Sequence, residues 1–571
     1  MGHDPWIELK ERAEAVRGSI ESSLGTRVHG NLVEAPEDRG LFSLAVFPYA
    51  KELGRPPAEL AREASKLASP APFEPLQAVG GYVNFVANPG TFAAHVLDAV
   101  RRMGPSYGSS PSHATRILLE HTSTNPTGPL HVGRARNPIF ADALARILKM
   151  AGFPVTREYL VNDVGRQMVV QYWGTRHLSA SDVGPPEVDK PDFRFIKYYQ
   201  RATEIFETDP RAKADVTAMI QRFELGDVAL TREVRKVAEE VLAGILQSLA
   251  RIGVDFDTFF WESEAILNGS VQKVIERLMP LSREEDGAHY LDLSSFGLEG
   301  DAAKYFFVRK DGTSLYTTRD IAYHLDKMGR CDVAINVLGE DQKLTFQRLK
   351  AAFQLMGIDW APETIFYAFV SLPEGKMSTR KGRVVNLDDL IDEAVGLAYA
   401  EVSKRREDLP EVRKREIAEF VGVGAVRYNV VRVQAEKRIV FKWEEALNFE
   451  GSSAPFLQYA HARACSILDK AGPRGASDVR LLVHPQEQLL LRRIAKFPSE
   501  VRDAATSRRV HVVAAYAADI AAQFNQFYRD CPVLSAHPEA LKAARLELVA
   551  AFQVVLHNAL ESLGLSAPRE M

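Results

Sequence analysis

The stretch at residues 120–134 constrains the fold more than any other part of the chain. It follows an apolar run at residues 117–119 and passes through a turn of Thr, Asn, Pro and Gly. From Ile139 onward, apolar residues recur at three- and four-residue steps, as in a long helix. This order predicts a strand, a loop and a helix. In an α/β sheet such a loop lies at the carboxyl end of a strand, where the N–H groups of the helix amino terminus bind phosphate.

His131 and Gly133 stand where the predicted helix starts. The histidine can supply a ring N–H, and the glycine leaves room for a purine or a phosphate to come close. The Lys of a Walker-type phosphate loop is absent, so the sequence predicts a different nucleotide-binding device. Taken alone, these residues also fit a tight turn in which His131 only caps the helix.

Composition limits the class of protein. The chain has 571 residues, 46% of them hydrophobic, which is enough for several folded domains. It carries 71 Lys and Arg against 75 Asp and Glu, so binding of nucleic acid would need a local basic face. Its 3 cysteines lie far apart without CxxC spacing, which argues against a disulfide frame or a Cys-ligated zinc site. With neither a signal peptide nor a long apolar run in the sequence, we expect a soluble, cytoplasmic protein.

Three motifs carry a family resemblance. Residues 129–133, Pro-Leu-His-Val-Gly, resemble the HIGH element of class I aminoacyl-tRNA synthetases, and residues 120–131 resemble the form found in arginyl-tRNA synthetases. Residues 375–382, Gly-Lys-Met-Ser-Thr-Arg-Lys-Gly, resemble the KMSKS loop. Residues 162–168, Asn-Asp-Val-Gly-Arg-Gln-Met, resemble the VNDxGRQ element, although the Asn-Asp-Val-Gly run also fits a plain turn. The resemblance covers nearly the whole chain.

The resemblance implies an α/β fold of the class I type. A Rossmann-type parallel-sheet catalytic domain is expected at 113–395, with an insertion at about 179–300. A small α+β amino-terminal domain at 1–112 would contact the elbow of the tRNA, although a purely structural cap fits its residues as well. A helical stem and an all-α anticodon-binding bundle would fill 396–571. The Gly-, Ser- and Pro-rich stretch at 104–112 marks the first boundary.

The resemblance also implies where adenylate chemistry takes place. The residues expected to be catalytic are His131, Gly133, Arg134, Lys376, Ser378 and Lys381. Those expected to bind ATP are Pro129, His131, Gly133, Lys376 and Met377. A basic, Gly-flanked loop can neutralise a departing pyrophosphate, although such loops are often only solvated. Arg134 replaces the second His of HIGH and Thr379 the second Lys of KMSKS, so Arg134, Arg380 or Lys381 could share the missing role.

An arginine pocket is expected around Tyr316 and Asp320, which lie four residues apart and share one face if a helix starts between them. A guanidinium group pairs in bidentate fashion with a carboxylate. From the residues alone, Asp320 could instead pair with Arg319 or Lys327 on a solvated surface. The resemblance implies that the arginine contacts are Glu120, Asn125, His131, Tyr316, Asp320 and Gln342. Of the two acidic candidates for the guanidinium, we favour Asp320.

The implied activity is that of a class I ligase. It would activate L-arginine with ATP and Mg²⁺ to arginyl adenylate and transfer the arginyl group to the 3′ end of tRNA(Arg), acting as a monomer without a protein-bound metal. The alternative is a synthetase-like chain that binds tRNA or nucleotide without catalysis. A small nucleotidyltransferase with a similar loop is excluded by the length of the chain and by its helical carboxyl domain. The charged helical region at 404–445 fits an RNA contact or a solvated face.

Overall fold

A computed structural model describes residues 4–371, 385–448, 451–472 and 475–571. The chain forms two compact units. The first consists of Met1–Pro111, Met150–Gly152 and Leu447–Met571, and the second of Ser112–Lys149 and Phe153–Ala446. The first unit therefore contains both ends of the chain.

The first unit begins with a small α+β module, as the sequence predicts. Its elements are α1 (Pro5–Leu24), β1 (Leu32–Glu34), β2 (Phe42–Ala45), α2 (Phe47–Leu53), α3 (Pro57–Ala64), β3 (Gln77–Val79), β4 (Tyr82–Phe85) and α4 (Pro89–Met103). The strands form an antiparallel sheet in the order β1-β2-β4-β3. Asp4 caps α1, because its carboxylate accepts the N–H groups of Trp6 and Ile7 at 2.9 and 3.0 Å.

The second unit is an α/β structure. Its helices are α5 (Arg136–Met150), α6 (Arg166–His177), α7 (Ala180–Val183), α8 (Pro191–Thr208), α9 (Pro210–Glu224), α10 (Val228–Arg251), α11 (Glu262–Leu267), α12 (Ser270–Leu278), α13 (Tyr316–Arg330), α14 (Lys343–Leu355), α15 (Leu387–Arg405), α16 (Glu411–Val431) and α17 (Trp443–Ala446). Its strands are β5 (Ile117–Glu120), β6 (Val155–Val161), β7 (Thr258–Trp261), β8 (Ser282–Glu285), β9 (Ala288–Asp292), β10 (Lys304–Val308), β11 (Val333–Gly339), β12 (Glu363–Tyr367), β13 (Val370–Ser371) and β14 (Ile439–Val440).

A five-stranded sheet organises this unit. Its order is β12-β11-β5-β6-β7, and every pair is parallel. The chain moves from β5 through β6 to β7 on one side and returns to β11 and β12 on the other, so the strand order reverses between β5 and β11. All the carboxyl ends lie at one edge of the sheet, and the crevice at such a reversal is where ligands bind in open α/β sheets.

The sheet differs from the sequence prediction at two places. Strand β7 lies within the interval 179–300 that was expected to be an insertion, yet it pairs with β6 through Glu158 opposite Thr258. Strand β10 begins after that interval, in the part expected to belong to the parallel-sheet domain, yet it pairs with β9 in an antiparallel sheet of order β10-β9-β8. Strands of four or five residues are too short for periodicity to identify their partners.

The carboxyl-terminal part of the first unit is helical. Its long helices are α18 (Ala454–Ala471), α19 (Pro485–Ser507), α20 (Val510–Asp530) and α21 (Glu539–Ser562). Helix α19 bonds to the amino-terminal module, since Arg492 donates to the carbonyls of Ala35 and Gly40 at 2.7 and 2.9 Å. Arg502 also pairs with Asp4. The boundaries at 112 and 395 stay predictions, and residues 396–446 lie in the second unit.

The cysteines are buried free thiols at positions 331, 465 and 531. Burial raises the pKa of Cys531 to about 11, so this thiol stays protonated at neutral pH. In the described part of the chain, no helix is long and apolar enough to cross a membrane.

A buried ion pair joins α5 to α16. Asp142 and Arg427 are both 0% exposed, and Arg427 Nη2 donates to Asp142 Oδ2 at 2.6 Å. Arg146 donates to the same oxygen at 2.8 Å. Burial by itself would raise the pKa of Asp142, but the two guanidinium groups outweigh burial and hold it below its usual value.

Replacing Asp142 by Asn should destabilise the protein by about 3 to 5 kcal/mol, because the charge that offsets a buried guanidinium is removed. The midpoint of urea unfolding measures this loss. Asp332→Asn is the matched control, since Asp332 pairs with Arg116 on the surface and should change the midpoint far less. Equal shifts for the two variants would show that the Asp142 pair adds no more than a surface pair.

His121 is a buried neutral histidine at the end of β5. Its ring is 1% exposed and stacks on Phe256 with centroids 4.5 Å apart. Burial lowers its pKa to about 3, whereas an unfolded histidine titrates near about 6.5. Between these values the unfolded chain binds the additional proton, so the contribution of His121 to stability is complete above about pH 6.5 and falls as the pH drops.

We expect this linkage to be visible as a difference between two pH profiles. As the pH falls from about 6.5 to 5, the free energy of unfolding of the parent should decrease by up to about 1.4 kcal/mol per pH unit more than that of His121→Asn. Urea unfolding at several pH values measures both profiles, and subtraction removes the carboxylates common to the two proteins. Parallel profiles would mean that His121 titrates normally in the folded protein.

Candidate active site

The loop after β5 has a strained backbone at its start. Thr122 and Ser123 have φ angles of 67° and 43°, in the left-handed region that side chains other than glycine rarely adopt. Asn137 of α5 holds this conformation, because its Oδ1 accepts the N–H of Thr122 at 2.9 Å. Its Nδ2 donates to the carbonyl of Val337 on β11 at 2.9 Å. One amide thus fixes the loop against both strands at the reversal of the sheet, a common place for strain at functional sites.

His131 caps the helical segment that leads into α5. A short 3₁₀ turn, Val132–Arg134, precedes α5, and Nδ1 of His131 accepts the N–H of Gly133 at 3.0 Å. Because Nδ1 is an acceptor, the proton of the neutral ring sits on Nε2. A Cβ on Gly133 would come within 3.0 Å of that Nδ1, so the glycine also makes space for the histidine. Capping and donation of a ring N–H are therefore compatible.

The His131 segment pairs with the chain that follows residues 372–384. Val132 N–H donates to the carbonyl of Val385 at 3.1 Å, and Leu387 N–H donates to that of Leu130 at 2.8 Å. Residues 376, 377, 378 and 381, the expected Lys, Met, Ser and Lys of the second catalytic loop, lie outside the described residues.

Arg136 binds three chain segments together. It is 0% exposed, and its guanidinium donates to the carbonyls of Ala368 at 2.8 Å, Gln434 at 2.5 Å and Lys437 at 2.5 Å. Burial lowers its pKa to about 10, which leaves the group charged at neutral pH. The first turn of α5 is thereby fixed to the end of β12 and to the turn after α16.

A cavity of about 530 Å³ opens at the carboxyl ends of the strands. Six residues predicted from the sequence line it, namely Glu120, Asn125, Arg134, Tyr316, Asp320 and Gln342. Pro129, His131 and Gly133 are not among the lining residues; they lie beside it in the chain, at the start of the helical segment. The structure thus brings the expected arginine contacts together, apart from His131, while their roles remain predictions.

Two of the three cavity carboxylates have buried cationic partners. Lys327, which is 0% exposed, lies 2.5 Å from Glu120 Oε2, and Ser123 Oγ donates to the other oxygen of Glu120 at 3.1 Å. Arg319 lies 2.6 Å from Glu262 Oε1. Burial raises the pKa of Glu262, and Arg319 offsets part of this rise.

Asp320 has neither of the partners considered from the sequence. Arg319 pairs with Glu262 and Lys327 pairs with Glu120, so the alternative of a surface pair with one of them is wrong. Helix α13 begins at Tyr316, which places Asp320 one turn further along on the same face. Among the described residues, the basic side chain within ion-pair distance of Asp320 is His324, with Nδ1 3.2 Å from Asp320 Oδ1.

Sequence reasoning missed four residues of this site. Glu262, His324 and Asn336 line the cavity, and Lys327 forms a hydrogen bond to Asn336 beneath it. Two signals were available. Asp320, His324 and Lys327 follow at four- and three-residue steps along one helix face, and Asn336 is a polar residue inside the apolar run that forms β11.

Comparisons with known proteins match two parts of the chain to family models. The chain matches the family model of tRNA synthetases class I (R), catalytic domain, over residues 98–443. It matches the DALR anticodon binding domain over residues 457–571. These matches confirm the predicted α/β catalytic fold and the helical carboxyl-terminal domain.

Relatives of full length support the same family. The chain is 45% identical over 571 residues to an arginine–tRNA ligase of Methanocella arvoryzae, covering 99% of this chain and 100% of that one. Identity to the arginine–tRNA ligase of Methanothermobacter thermautotrophicus is 42%, with 98% and 99% covered. The solved structure of Thermus thermophilus arginyl-tRNA synthetase superposes with a TM-score of 0.81 at 30% identity, with 99% and 100% covered. The motifs, the fold and these relatives together establish that the chain belongs to the arginyl-tRNA synthetase family of class I aminoacyl-tRNA synthetases.

Proposed function

We propose that this protein is an arginine–tRNA ligase, which activates L-arginine with ATP and transfers the arginyl group to the 3′ end of tRNA(Arg). The choice of arginine as the substrate rests on which carboxylates of the cavity have a cationic partner. Glu120 and Glu262 each pair with a buried cation, Lys327 or Arg319. Asp320 has no Lys or Arg within ion-pair distance among the described residues, so the guanidinium of the substrate would supply the cation.

The remaining cavity residues suit the rest of the amino acid. Tyr316 and Gln342 share the cavity with Asp320 and offer a phenol and an amide beside the planar guanidinium. We assign the α-ammonium to Glu120, whose position Lys327 fixes, and the α-carboxylate to the amide of Asn125. Asn125 Nδ2 donates to Gln167 Oε1 at 2.9 Å, which links this loop to the element at residues 162–168.

The start of the helical segment suits ATP. Backbone N–H groups at a helix amino terminus and the Nε2–H of His131 are donors for the α-phosphate region. Gly133 and Pro129 lie in the same segment, and Arg134 brings a permanent positive charge to the cavity. Mg²⁺ would accompany ATP, held by phosphate oxygens and water as this hard cation prefers, and we assign it no protein ligand.

Two displacements make up the proposed reaction. An oxygen of the arginine α-carboxylate attacks the α-phosphorus of ATP, a P–O bond forms, and pyrophosphate leaves. The 2′-hydroxyl of the terminal tRNA adenosine then attacks the activated carbonyl, releasing its proton and AMP. Neither step needs a covalent enzyme intermediate. The protein contributes chiefly position and charge stabilisation, as in other phosphoryl transfers.

We propose that the amino-terminal and carboxyl-terminal parts of the chain both contact tRNA. The match of residues 457–571 to the DALR anticodon binding domain supports contact with the anticodon, and the α+β module is proposed to contact the tRNA elbow. Activity as a monomer in the cytoplasm completes the proposal.

Exchange of pyrophosphate into ATP tests the function as a whole. We expect exchange with arginine and tRNA(Arg) present, and none with other amino acids. A chain that only binds tRNA or nucleotide would bind these ligands and show no exchange. That result would favour the non-catalytic alternative.

Asp320→Asn should greatly weaken the use of arginine and leave the KM for ATP near that of the parent. A neutral amide cannot match the charged fork of a guanidinium, so kcat/KM for arginine should fall by about 2 to 5 kcal/mol in transition-state free energy. Asp326→Asn is the matched control, because Asp326 lies on the same helix and pairs with Arg330. Unchanged kcat/KM in Asp320→Asn would remove this residue from the pocket.

Lys376→Ala should lower kcat for adenylate formation by about 10² to 10³, with little change in either KM. Its role is inferred from the motif: negative charge builds on pyrophosphate only as the bond breaks, so a cation acts there in the transition state. Single-turnover adenylate formation measures the effect, with Lys350→Ala on the exposed face of α14 as the control. If Lys381 substitutes for Lys376, the double variant loses more than the sum of the single losses. A parental rate in Lys376→Ala would contradict the role of this loop.

A further inference from the structure

A chain of polar side chains in the wall of the cavity runs from Glu120 to Asp320, two of its three acidic residues. Lys327 Nζ lies 2.5 Å from Glu120 Oε2 and donates to Asn336 Oδ1 at 2.8 Å. Asn336 Nδ2 lies 2.8 Å from His324 Nε2. His324 Nδ1 lies 2.8 Å from the carbonyl oxygen of Asp320 and 3.2 Å from its Oδ1. The three inner residues are at most 4% exposed, so solvent does not provide alternative partners.

The lysine determines where every proton of this chain lies. An ammonium group has only donors, so the atom of Asn336 that faces Lys327 is the amide oxygen. The amide nitrogen therefore faces His324 and donates to Nε2. Because Nε2 accepts, the ring proton is on Nδ1, which donates to the backbone carbonyl of Asp320 and lies beside its carboxylate. The opposite tautomer would place two lone pairs against each other at Asp320 and two N–H groups against each other at Asn336.

The fold places these residues together at fixed positions. Asp320, His324 and Lys327 share one face of α13. Asn336 lies directly opposite Glu120 in the parallel pair of β11 and β5. Lys327 Nζ also lies 4.1 Å from the centre of the Tyr323 ring, a cation–π contact that limits its movement.

Lys327 contacts Glu120 directly, whereas it reaches Asp320 only through Asn336 and His324. Glu120 meets a full positive charge, which offsets its own. Asp320 has a neutral N–H 3.2 Å from its Oδ1, which favours one direction of the carboxylate without cancelling its charge. A carboxylate that is oriented in advance and still negative is the group that a guanidinium fork requires.

We propose that His324 is a positioning residue for guanidinium recognition, held in its Nδ1–H tautomer by Lys327 through Asn336. This inference rests on the proposed function, because it takes Asp320 to be the partner of the substrate guanidinium. His324 acts on arginine through Asp320, so its loss affects the binding of arginine and leaves that of ATP unchanged.

Three substitutions at position 324 separate hydrogen bonding from space filling. His324→Leu keeps much of the volume and removes both hydrogen bonds. His324→Asn places an amide N–H near the position of Nδ1, where it can donate to Asp320. His324→Gln places its amide near the position of Nε2, where it can bond Asn336 but not orient Asp320. His177→Leu is the control, because His177 Nδ1 bonds the carbonyl four residues earlier, that of Trp173, at 2.8 Å and does not line the cavity.

Arginine-dependent pyrophosphate exchange in the presence of tRNA measures the effect in the full-length enzyme. We expect His324→Leu and His324→Gln to raise the KM for arginine about 10- to 100-fold, the cost of removing an N–H from beside a charged carboxylate. The KM for ATP should stay within about twofold, and His324→Asn should recover most of the loss. His177→Leu should match the parent. Equal KM values for arginine in the Leu variant and the parent, or an Asn variant no better than Gln, would overturn the proposal.

Ring-¹⁵N spectra of histidine-labelled enzyme report which nitrogen of His324 is protonated, a property that a role in packing alone does not require. The signal lost in His324→Asn should be that of a neutral ring protonated at Nδ1, and a ring protonated at Nε2 or at both nitrogens would overturn the proposal. If the Leu variant fails to fold, as judged by urea unfolding, the Asn and Gln variants decide the result. Asp320→Asn is measured in parallel. If Asp320→Asn retains the parental kcat/KM for arginine, the proposed pocket is wrong. If kcat/KM for arginine falls in Asp320→Asn and not in His324→Leu, only the role of His324 is wrong.

Discussion

The guanidinium of Arg136 is the interaction on which the geometry of the active site depends. It is fully buried and binds the carbonyls of Ala368, Gln434 and Lys437 in place of a carboxylate. Without it the buried carbonyl of Ala368 would be a costly unpaired acceptor. Because Arg136 starts α5, the His131 segment is held at a fixed distance from the end of β12, after which the chain enters residues 372–384. A single side chain thus sets the frame for the HIGH-like segment.

The net charge at each carboxylate of the cavity depends on its ion-pair partner. All three lining carboxylates are near one another. Two of them pair with cations, which reduces the electrostatic repulsion among the three. Arg319 and Lys327 could each have neutralised Asp320, their neighbour on α13, but both point to acidic residues on other elements. Among the described residues, Asp320 is left without a Lys or Arg partner. A buried ion pair of this kind contributes little net stability, and in the proposed function it leaves one carboxylate for the substrate.

His131 illustrates how one side chain can serve structure and chemistry together. Its Nδ1 caps the turn before α5 by accepting the N–H of Gly133, as the simpler interpretation of the sequence held. That bond fixes the proton on Nε2, which is the donor that a phosphate needs. The capping role and the proposed phosphate contact are therefore parts of one arrangement.

Much of this protein follows from local sequence. The strand, loop and helix around His131, the shared face of Tyr316 and Asp320, and the family itself follow from motifs and periodicity, because these depend on residues that are neighbours in the chain. The tertiary structure alone decided which partners distant residues take. Lys327 pairs with Glu120, a residue 207 positions away, and β7 joins the sheet through β6. Both chain ends also enter one unit. Such choices depend on strand order and burial, on which periodicity along the chain carries no information.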